Sequence, residues 1–222
     1  MEQSKTENNP FRRFKVKECV YGTPIFITIE ERKQVYNTDF SFDPALEKQR
    51  DVFVFQSLVG CRISDLYAMT RRSIINGAVE YIPRKTKDGR PVVVRVPLLK
   101  DALEILERYK DLPGDAILPL ISQQKYNVAI KKILQHAGMT RSVVWLNPKT
   151  GEPEVRPIYE VMSSMSSHSA RRTFSRNMYD KVQDPNLICA LTGHKEDSKF
   201  FARYRKIDED TNRKTISLLE YG

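Results

Sequence analysis

The sequence has only three cysteines, Cys19, Cys61 and Cys189, odd in number, far apart and in no C-x-x-C pair. A disulfide framework and a cysteine-based structural zinc site are therefore excluded, and a reducing compartment is expected. Three histidines, His136, His168 and His194, are too few for a histidine-rich metal cluster, and there is no H-E-x-x-H pair. Phosphate-cradling glycine loops are missing too, both the G-x-x-x-x-G-K-S/T form and the G-x-G-x-x-G form, so no nucleotide site is indicated. Apolar residues nowhere continue for the ~18 that a spanning helix needs, and the polar start Met1-Glu2-Gln3-Ser4-Lys5 does not resemble a signal peptide. No metal, cofactor or membrane is expected, and the expected location is the cytoplasm. Nine glycines and twelve prolines exclude a collagen-like or linker-like chain.

What is present is a balance of 40% hydrophobic and 29% charged residues in 222, enough for a sizeable buried core without staples. Lysine and arginine (37) exceed aspartate and glutamate (28), giving a net charge of +9. Such a surface attracts polyanions, and nucleic acid is the first partner to consider.

Residues 1–20 read as a basic linker or tail and 21–222 as one folded unit. Helical patterns occupy 30–37 and 44–58, where Leu46, Val52, Phe53, Phe55 and Leu58 share a broad face. Gly60 breaks into a second short helix with Arg62 at the junction. Between 73 and 97, β-branched runs separated by Asn76-Gly77 and Asp88-Gly89 predict a three-stranded antiparallel meander with two tight turns. Its second tip carries Arg84, Lys85, Lys87 and Arg90. Helices are expected over 98–109 and 123–137, with a short hairpin between 143 and 162. Ser167 is placed to cap a helix over 168–182; Asp184-Pro185 opens another that Gly193 stops. Segments 198–205 and 208–220 also read as helical. The fold class is mainly α with a small antiparallel β-sheet.

His168 and Arg171 lie three apart at a helix start, an arrangement that suits an oxyanion, although an ordinary capped helix with a basic turn shows the same spacing. Leu191-Thr192-Gly193-His194, followed ten residues later by Tyr204, is more distinctive. A tyrosine hydroxyl is a nucleophile where nearby cations stabilise its anion. Asp65, one turn after Arg62, either orients that arginine or caps a helix at the surface.

In order and separation these residues resemble the tyrosine recombinases, the phage integrase family. Its arginine, lysine, His-x-x-Arg, His/Trp and tyrosine boxes correspond to Arg62 in Val59-Gly60-Cys61-Arg62, Lys85 in Arg84-Lys85-Thr86, His168-Ser169-Ala170-Arg171, His194 and Tyr204. Val59-Gly60-Cys61-Arg62 stands where the family more often has Thr-Gly-Leu-Arg. Asn9-Pro10-Phe11 and the stretch from Arg50 to Phe55 look most like integrases of conjugative elements. The resemblance implies the family's catalytic-domain fold over 21–222, with the core-binding and arm-binding domains absent from this chain, which would make it a catalytic fragment or a minimal relative. It further implies double-stranded DNA at a specific recombination site as partner, a tetrameric synapse on DNA, and a monomer when free. The catalytic set so implied is Arg62, Lys85, His168, Arg171, His194 and Tyr204.

The chemistry is coherent on physical grounds. Tyrosine attack on a phosphodiester develops charge on the non-bridging oxygens, which Arg62, His168, Arg171 and His194 can surround with fixed donors. Lys85, or its neighbour Lys87, can protonate the leaving 5′ oxygen. A 3′-phosphotyrosine would hold the bond energy for rejoining. Three rivals share parts of this pattern: a type IB topoisomerase, a DNA-binding protein that has lost catalysis, and a metal-independent nuclease. Because phosphate contacts rather than base contacts dominate the expected interface, DNA affinity should fall steeply with salt, on the order of 10³-fold between about 50 and 200 mM if about six phosphates are neutralised. A filter-binding titration across that range checks it; tight, salt-insensitive binding would mean base readout instead.

Overall fold

A computed structural model describes residues 25–86, 91–147, 150–164, 168–182 and 184–193. These form a mainly helical domain with two small antiparallel sheets, as the sequence patterns require. Helix α1 (Ile29–Asn37) opens on a capping box: Thr28 Oγ1 accepts from the Glu31 N–H, and the Glu31 carboxylate accepts from the Thr28 N–H. Helix α2 (Pro44–Val59) has proline in its first turn and an Asp43 cap, and ends at Gly60 in the left-handed region.

The one broad apolar face expected of α2 is in fact a whole circumference, because every residue from Gln49 to Val59 is buried. Helices α1, α4 (Lys100–Arg108), α5 (Gln123–His136) and α7 (His168–Val182) pack around it. The polar residues inside this ring are satisfied rather than excluded. Asp51 ion-pairs with Arg50 Nε at 2.7 Å and Arg108 Nη1 at 3.2 Å, and accepts from the Tyr109 hydroxyl at 2.8 Å. Burial and that carboxylate push the Tyr109 phenol upward, so it remains a donor.

After α2 comes the short helix α3 (Ile63–Leu66), then the meander β1 (Ile74–Ile75), β2 (Ala78–Tyr81), β3 (Val94–Pro97). The first turn is the expected tight one: Ile75 pairs with Ala78, with Asn76 at φ 48° and Gly77 at φ 70°. The second turn, expected at Asp88-Gly89, lies outside the described residues. The pairing of β2 with β3 ends at Tyr81↔Val94, and Arg84–Thr86 form a 3₁₀ turn after β2. Pro83 and Pro91 have no N–H with which to extend the ladder beyond that pair. Lys85 thus sits on the 3₁₀ turn.

The expected short hairpin is β4 (Ser142–Leu146) with β5 (Pro153–Pro157), and the Arg156 guanidinium lies 4.9 Å from the Trp145 ring centre. Helix α6 (Ile158–Ser164) follows and packs on α5. His136, at the end of α5, rests between the Phe40 and Phe42 rings. Helix α8 (Pro185–Thr192) starts from Asp184 and stops at Gly193, as its sequence signals require. The Ser167 cap, Lys87, His194, Tyr204, the tail over 1–20 and the segments 198–205 and 208–220 lie outside the described residues. Among the described residues no helix is long and apolar enough to cross a membrane.

Gly60 is needed twice, for its φ of +71° and because a Cβ there would stand 2.3 Å from the Phe174 ring on α7. Gly60→Ala should therefore lose about 2–5 kcal/mol of stability, the sum of left-handed strain and overpacking. Urea unfolding measures this, and Phe174→Leu in the same chain should recover the overpacking share only.

Candidate active site

The site is assembled on the loop between α2 and α3. Gly60 turns the chain out of α2, and the next two residues are held by side chains from elsewhere. Arg171 Nη1 donates to the Gly60 carbonyl at 2.9 Å, and Gln56 Nε2 donates to the Cys61 carbonyl at 3.1 Å. Gln56 is itself fixed by the fully buried Tyr126, whose hydroxyl donates to its Oε1 at 3.0 Å. This loop presents Arg62 as the N-cap residue of α3, with a side chain 19% exposed.

Arg171 makes a second bond, from Nη2 to the Thr192 carbonyl at 2.8 Å at the end of α8. One buried guanidinium thus joins the Arg62 loop, α7 and the end of α8. Gly193, the last described residue of that turn, closes against the strand side of the site: a Cβ there would lie 2.8 Å from Pro83 and 3.0 Å from Val94. The end of α8 is thereby set beside Pro83, two residues before Lys85.

Asp65 links the loop to the Lys85 turn. It is not a surface cap: its residue is 2% exposed, its Oδ1 accepts from the Arg84 N–H at 2.9 Å, and its Oδ2 faces Arg62 Nη1 at 3.7 Å. The carboxylate therefore orients the guanidinium of Arg62 and anchors the backbone next to Lys85. Lys85 itself is exposed. Of the six residues singled out from sequence, the structure brings Arg62, Lys85, His168 and Arg171 to one side of the domain, while His194 and Tyr204 are outside the described residues.

Electrostatics follow from this crowding of cations. Burial, with repulsion from Arg62, lowers Arg171 to about 10, which still leaves it charged at neutral pH. His168 keeps an exposed surface, yet partial burial together with Arg172, Arg171 and Arg62 holds its imidazole below the ordinary 6.5. It is therefore mostly neutral at pH 7. Burial pushes the Cys61 thiol up to about 12, so it is an inert packing group and not a nucleophile. Among the described residues no group of three or more His, Cys, Asp or Glu side chains is placed to hold a metal ion.

Sequence reasoning did not find Gln56, Tyr126 and Tyr81 near the site. Gln56 and Tyr126 lie within helical patterns whose polar members read as solvent-facing, and only their burial exposes the role. Tyr81 closes a strand and carries no motif.

Since burial and three guanidinium groups depress His168, its titration reports the site. In an NMR titration the His168 imidazole should have a pKa below 6.5, should rise in Arg172→Gln, and should rise again when inorganic phosphate is added, because each change removes or offsets positive charge. A value at or above 6.5 in the free protein would place the ring away from these arginines.

Comparison with known proteins bears on the family and the fold. The phage integrase family profile matches residues 26–211. A solved XerH site-specific recombinase bound to a palindromic difH substrate, in a post-cleavage complex, superposes with a TM-score of 0.61 at 15% identity, covering 90% of this chain and 54% of that one. A lambda integrase tetramer bound to a Holliday junction gives a TM-score of 0.55 at 18% identity, over 84% of this chain and 49% of that one. The Tn1549 transposon integrase in complex with a circular intermediate DNA gives 0.61 at 14% identity, over 96% and 72%. This chain thus spans about half the length of the first two. No curated protein sequence matches it. With the family profile covering most of the chain and the fold shared with these recombinases, the chain belongs to the phage integrase family.

Proposed function

We propose that this chain carries the strand-cleavage and rejoining centre of a site-specific DNA recombinase, acting on double-stranded DNA through a 3′-phosphotyrosine. The observation that supports it most is the Arg171 bridge between Gly60 and Thr192, because it ties the loop that carries Arg62 and the start of α7 to the end of α8. Preorganised donors of this kind stabilise an oxyanion without reorganising during the reaction.

In this reading Tyr204 Oη attacks phosphorus and the bond to the 5′ oxygen breaks. His168, held neutral at pH 7, accepts the Tyr204 proton. Arg62, Arg171 and His194 face the two non-bridging oxygens, and Lys85 gives a proton to the departing 5′ oxygen. Attack by a 5′ hydroxyl from a second duplex then runs the same steps in reverse, releasing Tyr204. The reaction is a transesterification that conserves bond energy. Recombination needs paired sites, and a tetramer on DNA, as in the lambda integrase complex, is the assembly proposed here. Cys61 and Cys189 are buried and form no disulfide with each other, which fits a reducing cytoplasm.

The deciding experiment uses a nicked duplex that traps the cleaved strand. Wild-type protein should form a covalent DNA adduct in excess chelator and without ATP, and Tyr204→Phe should bind DNA but form none. Lys85→Ala should slow the step by ~10²–10⁴, and a 5′-bridging sulfur, which leaves without a proton, should restore its rate while leaving Arg171→Ala slow. Rescue of Lys87→Ala instead would name Lys87 as the acid. An adduct that persists in Tyr204→Phe would overturn the nucleophile, and strict dependence on a divalent ion would point to a nuclease.

A further inference from the structure

Three buried polar atoms at the site have no hydrogen-bond partner among the described residues: Arg62 Nη1, Asp65 Oδ2 and the Tyr81 hydroxyl. Unpaired buried polar atoms are rare because each forfeits its bonds to water, and three in one neighbourhood call for an explanation. Tyr81 is the last residue of β2, paired with Val94, and its ring packs on the main core. Three residues further on, the Arg84 N–H donates to Asp65 Oδ1 at 2.9 Å, which brings the end of β2 to the Asp65 side of the loop that presents Arg62.

The three atoms are chemically complementary. Arg62 Nη1 can only donate and the Asp65 carboxylate can only accept, whereas a hydroxyl does both at once. At 3.7 Å the arginine and the carboxylate are too far apart to satisfy each other by a hydrogen bond. A hydroxyl inserted between them satisfies all three.

We propose that Tyr81 is a positioning residue for Arg62: with an anionic phosphate on Arg62, the Tyr81 hydroxyl donates to Asp65 Oδ2 and accepts from Arg62 Nη1, locking the guanidinium in its phosphate-binding orientation. Tyr81 remains protonated throughout, since burial raises its phenol far above neutral pH. The same lock reaches the Lys85 turn, because Asp65 Oδ1 already holds the Arg84 N–H. Tyr81 is thus distinct in role from Tyr204. It touches neither phosphate nor leaving group, and it acts through Arg62.

This inference rests on the proposed cleavage function, and its test keeps the two separable. On the trapping duplex, Tyr81→Phe should slow adduct formation about 10- to 30-fold, the loss of one charge-assisted hydrogen bond, with DNA affinity unchanged. Asp65→Asn should be slow as well, and the double variant no slower than Asp65→Asn alone, because both act through one lock. A methylphosphonate at the scissile position has no anionic oxygen pair for Arg62 to neutralise, so on that substrate Tyr81→Phe should match wild type. Full additivity of the two substitutions, an equal defect on the methylphosphonate, or no defect at all would each overturn the proposal; additivity in particular would mean that the hydroxyl bonds to the phosphate itself. Should wild-type protein form no adduct, the cleavage reading fails, and Tyr81 is decided by NMR of tyrosine labelled at Cζ. Inorganic vanadate should then shift the Tyr81 signal in wild type but not in Asp65→Asn, and an unmoved signal in wild type overturns the lock.

Discussion

The buried guanidinium of Arg171 is the contact on which the rest of the site depends. Its two carbonyl bonds, to Gly60 and Thr192, connect elements separated by most of the chain, and they place a full positive charge where only 3% of the residue remains exposed. Burying such a group is unfavourable unless its donors are used, and here backbone carbonyls at two helix ends use them. Both carbonyls belong to the last turn of a helix or to its cap, where the negative end of the helix dipole favours a cation. Gly60 serves this contact from the other side: without a side chain it lets the Phe174 ring approach, so that α7 lies close enough to α2 for Arg171 to reach.

A second consequence is the clustering of like charge. Arg62 repels Arg171, and burial together with Arg172, Arg171 and Arg62 depresses His168, so the arrangement costs stability in the free protein. Asp65 offsets part of this as the buried carboxylate between Arg62 and the Lys85 turn. The remaining excess of positive charge is what an oxyanion would relieve, and its donors are already in place before any ligand arrives. Helix α2 makes this rigidity possible, because its fully buried circumference anchors Gln56, and Gln56 anchors the Cys61 carbonyl.

The sheet contributes position more than stability. Its first turn follows directly from Asn76-Gly77, whereas the pairing of β2 with β3 ends at Tyr81↔Val94. Lys85 lies on the 3₁₀ turn that follows β2, tied by the Arg84 N–H to Asp65. The stop of α8 at Gly193 packs against the same Pro83 and Val94, so three separate sequence segments converge there.

What the sequence determined by itself is local. Capping residues, prolines in first turns, left-handed glycines and the β-branched runs carry their signals within a few neighbours, and so the helices, the first turn of the meander and the ordered boxes around Arg62, Lys85 and His168-Ser169-Ala170-Arg171 could all be read from it. Tertiary structure alone decided what depends on burial and on partners distant in the chain. Asp65 reads equally well as a surface cap or an orienting carboxylate until its surroundings are known. Gln56, Tyr126 and Tyr81 look like polar members of ordinary periodic patterns until the other helices close over them. The reason is physical: a hydrogen bond of a buried side chain is set by which distant carbonyl or carboxylate shares its desolvated space, and no local pattern of residues encodes that distance.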